Sequence, residues 1–192
     1  FVGPYHLGAL LFETKNSITY ESFHPQQCQK LCLKLIKKSA VSLDLIQNEV
    51  NIMKQISHSS IIPLIDEFDW EDYQVIVMPF ASGGDLFEFI SANQGMDERA
   101  AAQVMYCALT AVKHLHANGI WHRDIKPENF LFMDDNLKEI ILVLCDLGFA
   151  KHFPLGAKSN EFLGTPNYSA PEIYKKEFCM YFFDKKIEKK MK

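Results

Sequence analysis

The stretch Trp121–Phe130, WHRDIKPENF, puts two cations, an acid and an amide (Arg123, Asp124, Lys126, Asn129) within seven positions. Pro127 lacks a backbone donor and stops the run from being a simple helix, so these groups share one tight loop. Upstream, Asp97 is a candidate N-cap. Val104, Met105, Ala108, Leu109, Val112 and Leu115 then form one apolar face at helical spacing, ending at the C-cap pair Asn118–Gly119. Downstream, NFLF and EIILVLC are short apolar runs separated by the turn residues Asp134, Asp135 and Asn136, which predicts a hairpin.

The first 80 residues read as strands around one helix. KLCLKLI (Lys30–Ile36) alternates apolar and polar, and YQVIVMPF (Tyr73–Phe80) is a buried-strand run ending at a proline. Between them Leu43, Ile46, Val50 and Met53 recur at spacings of three and four, the stripe of an amphipathic helix. ASGGD (Ala81–Asp85) is a small-residue linker and the clearest boundary.

With 192 residues, 48% of them apolar, the chain can bury a core. Its net charge of −4 comes from interspersed residues with no basic stripe, which argues against nucleic acid as a partner. Five scattered cysteines (Cys28, Cys32, Cys107, Cys145, Cys179) without a C-x-x-C predict free thiols in a reducing compartment, cytoplasmic or nuclear. Ile140–Cys145, the longest clean aliphatic run, is far short of the roughly 20 residues that span a bilayer, so no membrane span is expected. The start is not signal-like, and a first residue of Phe rather than Met suggests a fragment.

HRDIKPEN (His122–Asn129), DLG (Asp146–Gly148) and GTPNYSAPE (Gly164–Glu172), in that order, resemble the eukaryotic protein kinase family. The flavour is that of its serine/threonine, calmodulin-dependent-kinase-like group, and the resemblance runs from Val2 to Glu172. It implies an α+β, bilobal fold. Residues 1–80 would form an antiparallel N-lobe sheet with one helix, 81–85 a hinge, 86–173 a partial, mainly helical C-lobe, and 174–192 a divergent Lys/Phe-rich tail.

The resemblance also implies ATP and Mg²⁺ as cofactors and transfer of the γ-phosphate to a Ser or Thr of a protein substrate. Asp124 would orient the hydroxyl and accept its proton, and Lys126 would contact the transferring phosphate. Asn129 and Asp146 would offer hard oxygen ligands to Mg²⁺. Lys34 and Glu49 resemble the family's β3-lysine and helix-glutamate pair. Met78 resembles the gatekeeper, the Pro79 carbonyl and Ala81 amide would meet the adenine edge, and Cys32 and Leu131 would sandwich the ring. Asp85 belongs with this pocket. With Glu128 it also stands where basophilic kinases hold a substrate arginine, which implies a preference for basic flanks.

Three departures from the family pattern bear on function. The G-x-G-x-x-G positions of the phosphate-covering loop, aligned on Leu7–Tyr20, hold Phe12, Thr14 and Ser17, which implies poor phosphate positioning, with the two hydroxyls as partial compensation. Glu161 stands where a phosphorylatable Thr is usual, offering Arg123 a standing negative charge, with Ser159 as an alternative modifiable site. After Glu172 the family's remaining helices have no counterpart, so apolar faces that would pack on them are expected to be exposed, covered by a protein partner or poorly ordered. An inactive pseudokinase acting as an interaction module is the alternative reading.

Overall fold

The computed structural model describes residues 1–24, 29–134, 140–154, 156–159, 161, 163–175 and 179–180. Five strands, β1 (His6–Glu13), β2 (Ser17–Phe23), β3 (Lys30–Lys37), β4 (Asp66–Trp70) and β5 (Tyr73–Pro79), pair antiparallel in the order β1-β2-β3-β5-β4. The two-residue period of β3 sorts its side chains onto two faces. Leu31, Leu33 and Leu35 join Val75, Val77, Val2 and Tyr5 in a core on one face. Cys32, Lys34 and Ile36 alternate with them and so face the other way, toward helix α1 (Leu43–Gln55).

That helix buries Ile46, Glu49, Val50, Ile52 and Met53. Leu43, expected in the stripe, lies in the first turn and is 65% exposed, so the buried face begins at Ile46. A second, larger core runs from these residues and Ile76 through Leu115, Phe132 and Leu144, and therefore belongs to both halves of the chain. The seam is also hydrogen-bonded. Ile62 N donates to Leu144 O at 2.9 Å and Leu144 N to Ser60 O at 2.9 Å.

Helix α2 (Leu86–Asn93) went unanticipated, although its signal is in the sequence. Asp85 caps it by accepting from Glu88 N at 2.8 Å, in an Asp-x-x-Glu spacing. Helix α3 (Glu98–Ala117) starts and stops as expected, with Asp97 accepting from Ala100 N at 2.8 Å and Gly119 at φ +69°. Its face needs correction. Val104, Ala111 and Leu115 are buried, whereas Met105 and Leu109 are 53% and 56% exposed, because β8 and β6 cover only one stripe of the helix.

The rest is short. β6 (Ile120–Trp121) pairs with β9 (Lys151–His152), and the predicted hairpin is β7 (Phe130–Phe132) on β8 (Leu142–Leu144). Of its turn, Asp135 and Asn136 lie outside the described residues. β10 (Lys158–Ser159) pairs with β11 (Cys179–Met180), and α4 (Pro171–Tyr174) stands between them in sequence. Beyond residue 175 the predicted tail is described only at 179–180. Among the described residues no helix is long and apolar enough to cross a membrane.

The linker lies against β7 instead of spanning open space. Gly83 N donates to Phe132 O at 3.1 Å and Phe132 N to Gly84 O at 2.9 Å. A Cβ on Gly83 would sit 2.3 Å from Asp134 O and 2.6 Å from Phe132 Cβ, mostly against backbone that cannot yield. Gly83→Ala is expected to lower the unfolding free energy by about 1–3 kcal/mol, the usual cost of overpacking, measured by urea titration.

Candidate active site

Lys34 extends from β3 beneath the sheet and meets two carboxylates. Its Nζ lies 2.7 Å from Glu49 Oε1 on α1 and 2.8 Å from Asp146 Oδ1, in the loop after β8. Burial alone would lower the Lys34 pKa, but the two carboxylates outweigh it and push it up, so the ammonium stays charged. Lys34 in turn is the main reason the Asp146 carboxyl is held below the usual range. Asp146 has φ +57° and Arg123 φ +70°, left-handed conformations that non-glycine residues rarely adopt and that persist only where surrounding bonds enforce them.

The loop 122–129 is ordered by its own polar groups. Asp124 N donates to His122 Nδ1 at 3.3 Å, which leaves Nε2 carrying the proton that is donated to Cys145 O at 3.1 Å. Burial lowers the His122 pKa, consistent with this neutral tautomer. Asp124 is 5% exposed and both its oxygens are engaged. Oδ1 accepts from Thr165 N and Thr165 Oγ1, each at 2.8 Å, and Oδ2 accepts from Lys126 Nζ at 3.0 Å and Asn129 Nδ2 at 3.2 Å. Lys126 Nζ also donates to Thr165 Oγ1 at 2.8 Å. Burial would raise the Asp124 pKa, but the bonds from Lys126 and Thr165 more than offset it and lower it.

Asn129 and Asp146 leave the β7–β8 hairpin at the same end, because Cys145 N donates to Asn129 O at 2.8 Å. Asn129 Nδ2 turns to the Asp124 carbonyl at 2.7 Å. An amide and a carboxylate residue thus leave one end of the hairpin together, and the oxygens of such a pair are the donor chemistry that fits Mg²⁺.

The residues expected around adenine fall in two groups. Cys32 and Met78 are direct antiparallel partners across β3 and β5, with Pro79 next on β5, opposite Leu31, and Ala81 two residues on. Leu131 enters through its bridge to Asp85. Burial pushes the Cys32 thiol up to about 11, against the pull of Lys34, so it is a neutral wall group. Asp85 carries a duty the sequence reading did not assign it, since one of its oxygens caps α2. Glu128 is the opposite case: its Oε2 is buried with no hydrogen-bond partner among the described residues.

At the tip of the β1–β2 hairpin Thr14 N donates to Ser17 O at 2.8 Å. Thr14 Oγ1 accepts from Asn16 N at 3.1 Å and Ser17 N at 3.0 Å and lies 3.3 Å from Ser17 Oγ. The hydroxyls expected to compensate for missing glycines are therefore engaged inside the turn, while Phe12 is 65% exposed. Gly8, passed over in the sequence, does meet a close-approach need, since a Cβ there would lie 3.2 Å from Glu21 O.

The expected Arg123–Glu161 pair forms through Arg123 Nη1, and Arg123 Nε donates to Phe149 O at 2.6 Å. Lys151, which carried no sequence signal, also binds Glu161, at 2.9 Å. These two cations hold the Glu161 carboxyl below its usual range, the Lys151 bond foremost. Gly164 has φ +102°, and a Cβ there would lie 2.6 Å from Arg123 O, so the stretch Asp146–Glu172, which resembles the family's activation segment, passes too close to the loop at this point for any side chain. Thr165→Val would remove one donor to Asp124 and the acceptor of Lys126. The Asp124 pKa is expected to rise, read by carbon-13 NMR titration of its carboxyl.

The protein kinase domain model matches residues 5–184. The protein named "Probable myosin light chain kinase" in Dictyostelium discoideum is 35% identical over 172 residues, 88% of this chain and 44% of that protein. Calcium-dependent protein kinase 7 of Arabidopsis thaliana is 37% identical, covering 91% of this chain and 33% of its own. The liver/testis phosphorylase b kinase gamma catalytic chain of Mus musculus is 35% identical, covering 83% and 41%. The chain thus spans less than half the length of these relatives. A domain match over almost its entire length, on a fold that brings Lys34, Glu49 and Asp146 together beside a loop braced on Asp124, means that this chain belongs to the protein kinase family.

Proposed function

We propose that the chain transfers the γ-phosphate of ATP to a Ser or Thr hydroxyl of a protein substrate. The observation that carries this reading is Asp124, fixed by Thr165, Lys126 and Asn129 within a loop that also shares Asn129 with the Asp146 hairpin. Mg²⁺, when bound, neutralises charge on the phosphate oxygens. Asp146 and Asn129 are the residues that would hold it. Lys34, charged and aimed by Glu49, would bind the nucleotide phosphates. Lys126 would leave Thr165 to meet the transferring group.

Asp124 has a lowered pKa and is a poor base in the ground state. Its role is to orient the incoming hydroxyl and take the proton late, as the phosphorus–oxygen bond to the leaving group breaks. Met78, Cys32, Leu131, the Pro79 carbonyl and the Ala81 amide would enclose the adenine. The neighbouring acids Asp85, at the head of α2, and Glu128, in the loop after Lys126, support a substrate arginine and so basic flanks. The free thiols of Cys32, Cys107 and Cys145 support a reducing compartment, cytoplasmic or nuclear. Exposed Met105, Tyr106 and Leu109 on α3 support a protein partner over that face.

One observation favours the second reading, a pseudokinase that binds partners. The amides of Asn16 and Ser17 are taken by Thr14 and so are not offered to phosphate. Losing one preorganised donor costs about 10²–10³ in rate in a well-studied hydrolase, so slow turnover is expected.

Phosphorylation of a basic Ser peptide with Mg·ATP separates the two readings. Asp124→Asn should lower the rate by about 10²–10⁴-fold, whereas equal signal from both proteins would remove the enzyme reading. Glu161→Ala should reduce activity and phosphatase treatment should not. Because the Glu161 pKa is lowered, the Arg123 pair should persist down to the ordinary glutamate range and fail only as the pH falls through the lower folded-state value. A pH series of the same assay, Glu161→Ala beside the wild type, checks this.

A further inference from the structure

Asn48 precedes Glu49 on α1, and its side-chain amide donates to the backbone carbonyl of Ala150 at 2.7 Å, bridging 102 positions of sequence. The short run from Asp146 to Ala150 is therefore gripped from three elements. Lys34 of β3 holds Asp146 Oδ1, Arg123 of the loop holds the Phe149 carbonyl, and Asn48 of α1 holds the Ala150 carbonyl. Ala150 is 1% exposed, so without Asn48 that carbonyl would face an apolar interior.

The apolar face of α1 cannot do this work, since hydrophobic contacts are not directional. Neighbouring positions on a helix lie about 100° apart around its axis. A rotation that frees Asn48 from Ala150 therefore also withdraws Glu49 from Lys34. On the other side Arg123 is held by Glu161. We infer that Asn48 is a positioning residue that couples the seating of the activation segment to the Lys34–Glu49 pair. This inference rests on the phosphoryl-transfer reading of the site, and it adds the means by which the charge on Glu161 reaches α1. Arg123, held by Glu161, and Asn48 donate to adjacent carbonyls of one segment, so the effects of removing Glu161 and Asn48 are expected to be coupled.

Backbone hydrogen exchange of the full chain tests this without any turnover. Asn48→Ala, and Asn48→Asp, which keeps the shape but lacks the donor, should each speed exchange over residues 147–151 by about tenfold while leaving α3 unchanged. Asn48→Ala combined with Glu161→Ala should exceed the stronger single variant by no more than about twofold, since residues acting through one element are not additive. Unchanged exchange over 147–151 in both Asn48 variants, an equal rise in α3, or single effects that multiply would overturn the inference. Phosphotransfer by the wild type is assayed in parallel. Its absence would remove the proposed function while the exchange result still decides the role of Asn48.

Discussion

The candidate site is organised around one ammonium group. Lys34 is a long cation in a largely buried place, and burial of a charge is tolerated only where opposite charge meets it closely. Glu49 and Asp146 do so from α1 and from the loop after β8. Neither carboxylate is near the other in sequence, so the lysine fixes the relation between helix and hairpin. Replacing either partner would leave the ammonium with a single counter-charge and break the link between helix and hairpin.

A second polar set stands beside the first and follows another logic. Around Asp124 the bonds come from Lys126 and Asn129 of its own loop and from Thr165, 41 positions further on, so this set pins the loop to the Gly164–Thr165 turn. His122, neutral and buried, joins this loop to the hairpin through Cys145. The two sets meet at Asn129, whose backbone belongs to the hairpin and whose amide belongs to Asp124.

Much of this was legible in the chain because periodicity and spacing encode it. Alternation in 30–36 put Lys34 on the correct face of β3, helical spacing put Glu49 on the buried side of α1, and the turn residues at 134–136 announced the hairpin. What escaped was set by tertiary contact. Met105 and Leu109 fit the helical stripe of α3, but periodicity does not say how wide a face its neighbours will cover. The Asp-x-x-Glu cap of α2 was present in the chain but had little periodicity behind it, because the helix has only eight residues. Lys151 and Asn48 carry no local pattern, since their partners lie in other elements.

The hydrogen-bonded seam between residues 60–62 and Leu144 bears on how such a cleft opens. The segment after α1 is stitched to the same hairpin that ends in Asp146, so the two halves have no free gap along that side. Any opening of one half against the other would pivot about this stitch, as a book moves about its spine. The hairpin of β1 and β2, farthest along the sheet from β4, would then sweep the widest arc, while Asn129 and Asp146, near the spine, would move least.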